Sequence, residues 1–157
     1  MADVGKPRLV GVNHVALEVG DLDAALAFYG AIFAFTQRGR APDMAFLDMG
    51  DQFLALAETA AAATRPVDFR PEGHFGLVVD DRSRAKALDE AAGARLVEGA
   101  FVDFLDPWGN RIEIVDYANV QFTRAPGVLA GMGLAFGKAV ETRRQLADKG
   151  MAVDAEG

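Results

Sequence analysis

One stretch of this chain is written twice, and a duplication of that size leaves few folds open. Asn13-His14 to Asp21 lies without a gap over Gly73-His74 to Asp81 at an offset of 60, pairing His14 with His74, Leu17 with Leu77 and Val19 with Val79. Phe46-Leu47-Asp48 through Glu58 lies over Phe104-Leu105-Asp106 through Asp116 at an offset of 58, setting Leu54 over Ile112, Ala55 over Glu113 and Leu56 over Ile114. A repeated unit buries its apolar face against its copy, so the pattern predicts a pseudo-twofold arrangement with equivalent positions on either side of one axis.

Hydrophobic periodicity gives each copy its elements. Val12 to Val19 alternates and is rich in β-branched residues, as a strand does. Asp21 offers an N-cap, and Leu22, Ala25, Leu26, Tyr29 and Phe33 then follow helical spacing over Leu22 to Phe33. Strands are predicted at Phe35 to Arg38, Met44 to Asp48 and Gln52 to Glu58, with Gly50-Asp51 as the turn between the last two. The order returns at Gly73 to Val79, a helix over Arg82 to Ala92, then Arg95 to Val97, Phe101 to Leu105 and Arg111 to Val115, with Pro107-Trp108-Gly109-Asn110 as the last turn. The fold class is α+β, two βαβββ modules at 9–59 and 72–117. An extension at 118–157 reads as a connector to Gly133 and a surface or interface helix over Phe136 to Lys149, a lid or a dimer clasp.

Composition narrows the chemistry. With 23 acidic and 16 basic residues the net charge is -7, and no basic stripe offers itself to phosphates, so nucleic acid is not expected as a partner. The absence of cysteine excludes disulfides, thiolate nucleophiles and zinc-thiolate sites, so any metal must rest on His and carboxylates. Met1 to Arg8 has no apolar core of signal length and no run reaches the roughly 18 apolar residues of a membrane span, so a soluble, cytoplasmic protein is expected.

Strand parity then selects candidate residues. His14, Ala16 and Glu18 point one way on the first strand, and Val15, Leu17 and Val19 point to the helix. His74 shares its face with Gly76 and Val78, and Glu113 shares its face with Arg111 and Val115, so His14, His74 and Glu113 are all expected away from the helices, lining one concave sheet surface. Two imidazoles and one carboxylate suit Fe, Mn, Co, Ni or Zn as a single divalent ion and leave coordination positions open. Ala55 is the mate of Glu113 and cannot ligate, so three protein ligands are expected, with Ala55 as cavity lining beside the substrate. Asp103, between Val102 and Phe104, is either a cavity carboxylate acting as acid or base, or a solvent-facing residue at a frayed edge. Arg111 either binds an anionic substrate group or is solvated. Phe28, Tyr29, Phe33 and Phe35 are expected in the core, and Trp108 over its turn.

Asn13-His14-Val15-Ala16-Leu17, Gly20-Asp21-Leu22, Phe28-Tyr29, Gly73-His74 and Asp106-Pro107-Trp108-Gly109-Asn110-Arg111-Ile112-Glu113 together resemble the vicinal oxygen chelate superfamily, which includes glyoxalase I, extradiol dioxygenases, fosfomycin-resistance enzymes and bleomycin-binding proteins. The resemblance covers about Gly11 to Tyr117. It implies a glyoxalase-like open barrel, often a homodimer, with ligand positions falling at His14, Ala55, His74 and Glu113. Ala55 departs from the glyoxalase and epimerase pattern, where a ligand also serves in proton transfer. Ring-cleaving dioxygenases use a further His and a Tyr whose position is Asp103 here. In the fosfomycin enzymes a Thr stands at the position of Ala16, and a Tyr again at Asp103. The expectation is a metal-dependent enzyme on a small oxygen-bearing molecule, dioxygenase-type, or else a lyase, isomerase or thiol transferase. The rival is a metal-independent binding protein that sequesters a small molecule.

The repeat carries its own test. Ala55→Glu should place a carboxylate opposite Glu113 and tighten metal binding while closing an open coordination position. Unchanged metal affinity and metal spectroscopy, measured by titration, would mean that the two halves are wrongly superposed.

Overall fold

The structure, a computed structural model, describes residues 6–99 and 101–151. Met1 to Gly5 of the expected start and residues 152–157 of the extension lie outside the described residues. Strand β1 (His14–Val19) leads to helix α1 (Leu22–Ile32), then β2 (Thr36–Ala41), β3 (Met44–Met49) and β4 (Gln52–Glu58). A one-turn helix α2 (Ala60–Ala63), not foreseen in the sequence, opens the link to β5 (Phe75–Val79), α3 (Arg82–Ala91), β6 (Arg95–Val97), β7 (Val102–Leu105) and β8 (Arg111–Asp116). Each module forms one open four-stranded sheet, in the orders β1-β4-β3-β2 and β5-β8-β7-β6. The fold is the α+β arrangement of two βαβββ units that the duplication predicts.

Local signals explain the helices. Asp21 Oδ1 accepts from the Ala24 amide at 2.8 Å and Asp81 Oδ1 from the Arg84 amide at 2.9 Å, so the same N-cap opens α1 and α3. Gly93, at φ 79°, ends the second of them. Leu17, Val19, Leu54 and Leu56 of one sheet, Phe104, Ile112 and Ile114 of the other, and Leu22, Phe28, Tyr29 and Ile32 of α1 form one buried cluster. Phe33 and Phe35 pack at its margin, so all four aromatics expected in the core are there. Each sheet therefore turns its helix-facing side to a shared core and its other side outward.

The register corrects one detail of the repeat. Ala16 pairs with Ala55 as Gly76 pairs with Glu113, which is the superposition expected for β4 on β8. Yet Phe46 pairs with Ala55 while Asp103 pairs with Glu113, so β3 and β7 superpose at an offset of 57 and not 58. The cause is the turns. Gly50-Asp51 is a two-residue turn after the Met49–Gln52 pair, whereas Asp106 to Asn110 separates the Leu105–Arg111 pair, and the odd-length turn shifts β7 by one residue. Phe46 therefore shares the face of Ala55, and Phe104 enters the core.

The extension also differs from expectation. The segment read as a connector contains a 3-10 turn (Tyr117–Asn119) and α4 (Pro126–Gly131), because Pro126 stands at the start of a helix, where its missing N–H costs nothing. The last helix α5 (Val140–Asp148) begins four residues after Phe136. Phe136 instead meets Tyr117 edge-on at 4.8 Å, and the buried Lys138 places Nζ 3.4 Å from the same ring while donating to the Tyr117 and Val120 carbonyls. No described helix is long and apolar enough to cross a membrane.

Asp89 on α3 is fully buried with neither carboxylate oxygen hydrogen-bonded. Burial, helped by Glu90, pushes its pKa up to about 6. A raised folded-state value means the charged form opposes folding above pH 6, and that this penalty vanishes as the pH falls toward the ordinary carboxylate range. Two pKa units correspond to about 3 kcal/mol. Asp89→Asn should therefore raise stability in urea denaturation at pH 7.5 and give no gain at pH 4; an equal gain at both would contradict the assignment.

Candidate metal centre

Sheet geometry places the site residues on the outward faces. On the second sheet Gly76, Glu113 and Asp103 stand in register on adjacent strands. His74 lies one residue before β5, where its Nε2 comes within 3.3 Å of Glu113 Oε2, with side chains 42% and 18% exposed. A cleft of about 470 Å³ passes this point, lined by His74, Arg111, Asn110, Arg65 and the Val15–Leu17 stretch of β1. Gly76 has open space where a Cβ would stand, so nothing crowds the approach to Glu113 from that strand.

His14 stands on the outward face of the first sheet, exposed, with its ring stacked on Phe53 at 4.7 Å and 8° between planes. Its Nδ1 is 2.8 Å from Asn13 Oδ1, and the tautomer that carries the proton on Nδ1 donates to that oxygen and keeps the Nε2 lone pair free. That tautomer suits a ligand. Within one chain, however, the described residues bring no three His, Asp or Glu side chains together as a metal site: His74 and Glu113 meet, and His14 does not join them. The shared core explains why, since both outward faces turn away from it.

Asp103 is 5% exposed and accepts from Arg111 Nε at 2.9 Å and Nη2 at 2.7 Å, both through Oδ2, while its Oδ1 has no hydrogen-bond partner. It is thus a buried carboxylate on Glu113's face and not a frayed-edge residue. Arg111, 24% exposed at the cleft, is engaged by Asp103 through Nε and Nη2. Ala55, 2% exposed, faces outward beside Phe46 and Ala16.

Trp108 lies against the first module at Gly20, where a Cβ would come within 2.6 Å of both the indole nitrogen and the Ala63 Cα. Sequence reasoning missed Asn13 as the side-chain partner of His14 Nδ1, although its adjacency to His14 was visible. It also missed Asp106 as a structural hub, for which the only signal was its place in the Asp-Pro turn.

Comparison with known proteins places this arrangement. The Glyoxalase/Bleomycin resistance protein/Dioxygenase superfamily profile matches residues 11–114. The glutathione transferase FosA of Serratia marcescens is 28% identical over 113 residues, covering 68% of this chain and 80% of that one. The crystal structure of lactoylglutathione lyase from Agrobacterium tumefaciens superposes with a TM-score of 0.54 at 25% identity, over 71% of this chain and 96% of that one. A variant of the fosfomycin resistance protein FosX from Listeria monocytogenes, complexed with Mn(II) and 1S,2S-dihydroxypropylphosphonic acid, shares the fold at 18% identity and a TM-score of 0.56, covering 68% and 90% of the two chains.

The Asp103–Arg111 pair yields a stability prediction. Arg111→Met leaves a buried carboxylate uncompensated and should cost about 3 kcal/mol. Adding Asp103→Asn should recover more than about 1 kcal/mol of that loss, because the stranded charge is then gone. Urea denaturation of the two single variants and the double variant measures this; a double variant weaker than Arg111→Met alone would contradict it.

Proposed function

Because this chain belongs to the glyoxalase/bleomycin resistance protein/dioxygenase superfamily, we propose that it is a divalent-metal-dependent enzyme acting on a small oxygen-bearing molecule, with His14, His74 and Glu113 as ligands. The observation that carries the reading is the convergence of His74 Nε2 and Glu113 Oε2 on an outward sheet face. The donor set fits, for two imidazole nitrogens and one carboxylate oxygen match the ions expected, and His14 keeps a free Nε2. Bound there, a divalent ion supplies a Lewis acid that polarises the substrate's oxygens.

The third ligand comes, in this reading, from a second copy. His14 of one chain meets His74 and Glu113 of another, giving a homodimer with two equivalent sites. Leu9, Val10 and Val12, which lead into β1, are large apolar side chains left exposed, as a surface awaiting a partner would be.

Addition of a nucleophile, water or a thiol, is favoured over ring cleavage. Both histidines of the chain are engaged as ligands, which leaves none for acid-base work in a cleavage reaction. Ala55 offers no base of the glyoxalase type. Asp103 remains: Arg111 holds its Oδ2 beside Glu113, and a turn of the side chain that brings the buried, unpartnered Oδ1 into the cleft lets it take the nucleophile's proton. The transferase FosA among the relatives agrees with a thiol as one such nucleophile.

His14→Ala, His74→Ala and Glu113→Ala should each weaken metal affinity by at least about 100-fold with the circular dichroism spectrum unchanged. Asp103→Asn should keep the metal and lose turnover. Refolding a mixture of His14→Ala and Glu113→Ala chains should restore metal sites that neither variant has alone. Stoichiometric metal retained in all three single variants would overturn the ligand assignment, and a mixture as empty as its components would overturn the shared site.

A further inference from the structure

We propose that Arg124, in the C-terminal extension beyond the family-matched residues 11–114, positions His14 through Gln52. The inference rests on reading His14 as a ligand, and its geometry is a chain of contacts. Arg124 Nη2 donates to Gln52 Oε1 at 3.1 Å, and Gln52 Nε2 donates to the Val12 carbonyl at 2.7 Å. One residue on, the Phe53 amide donates to the Asn13 carbonyl at 3.2 Å, Asn13 Oδ1 accepts from His14 Nδ1, and the His14 ring stacks on Phe53. The Gln52-Phe53 start of β4 therefore grips the Val12-Asn13-His14 segment at three points. Arg124 holds Gln52 in the orientation that makes the first of them, since a side-chain amide with its oxygen committed to a guanidinium must offer its N–H₂ to Val12.

Arg124 is itself fixed. Its side chain is 9% exposed and its Nη1 pairs with Asp51. Its backbone amide donates to the Tyr117 hydroxyl at 3.3 Å, and the guanidinium stands 5.5 Å from the Phe122 ring centre. The seat is built for it: at Gly50, with φ 80°, a Cβ would come within 2.7 Å of Met132 Sδ, 3.0 Å of Val128 Cγ1 and 3.1 Å of Arg124 Nη1. Gly50 thus serves both the positive φ of the turn and the close approach of the extension. Residues 6–13 form no helix or strand, so ahead of the β1–β4 ladder that begins at the His14–Phe53 pair the segment leading into His14 is held by these few bonds. A ligand held by outer hydrogen bonds keeps its orientation and affinity, and loss of such support weakens metal binding.

Gln52→Glu separates positioning from general stability. The new carboxylate still accepts from Arg124 but cannot donate to Val12, and it repels that carbonyl. The expected result, in metal-free protein labelled with nitrogen-15, is that the His14 ring signals move while those of His74 stay, with the thermal midpoint unchanged. The Mn(II) dissociation constant should rise about 3- to 10-fold. Arg124→Met should move the same His14 signals and also lower the thermal midpoint, and the double variant should disturb His14 no more than Gln52→Glu alone, as one relay requires. His14 signals at their wild-type positions in both single variants would overturn the inference, as would a weakened Mn(II) affinity without any change at His14. Mn(II) binding by His14→Ala at wild-type affinity would instead overturn the ligand reading, and the metal-free spectra would still decide the relay.

Discussion

The carboxylate of Asp106 is the contact on which the relation of the two modules turns. Fully buried, it accepts from the Tyr29 hydroxyl of α1 at 2.8 Å, from the Trp108 and Asn110 amides at 2.9 Å each, and from Asn110 Nδ2 at 2.7 Å. A buried charge with four donors is stable where a bare one would not be. Burial, and next the adjoining Asp106 charge, hold the Tyr29 hydroxyl well above its usual pKa, so it stays a donor across the working range. One interaction thus ties the helix of the first module to the β7–β8 turn of the second. Because that turn sets where β8 begins, it also sets which of its residues face outward, and Glu113 owes its position to it.

Phe28 and Phe33 of the first module approach Phe104 of the second to 6.2 and 6.4 Å between ring centres, so α1 packs against both sheets. The apolar faces are consumed in that shared core, and the small and polar faces are left outside. The same packing that stabilises the chain therefore separates His14 from His74 and Glu113.

Period-two alternation and the N-cap at Asp21 were legible because they are local, and so were the strands, both long helices and the side of each sheet on which the candidate ligands stand. The β3–β7 superposition was not, because the match Phe46-Leu47-Asp48 over Phe104-Leu105-Asp106 rewards chemical likeness while the strand phase follows turn length. The pairing of Arg111 with Asp103 joins residues eight apart through a hairpin register that this slip conceals. The extension was least legible: Arg124 finds Asp51 and Gln52 more than seventy residues away, a contact no periodicity encodes.

The two halves of the repeat have diverged in the same place and in complementary ways. At the position where the second module has Glu113, the first has Ala55. Where the second has Gly73 ahead of its histidine, the first has Asn13, whose side-chain oxygen stands 2.8 Å from the imidazole. His74 has a carboxylate neighbour at 3.3 Å to orient it, and His14, lacking one, has an amide, an aromatic stack and a hydrogen-bonded anchor in its place. A carboxylate at both mates would add negative charge; with alanine at one, the histidine of that module takes its orientation from other groups. Asn13 supplies the hydrogen bond without the charge. The asymmetry of the repeat therefore gives the second module an imidazole beside a carboxylate and the first an imidazole held by an amide, an aromatic ring and a hydrogen-bonded anchor.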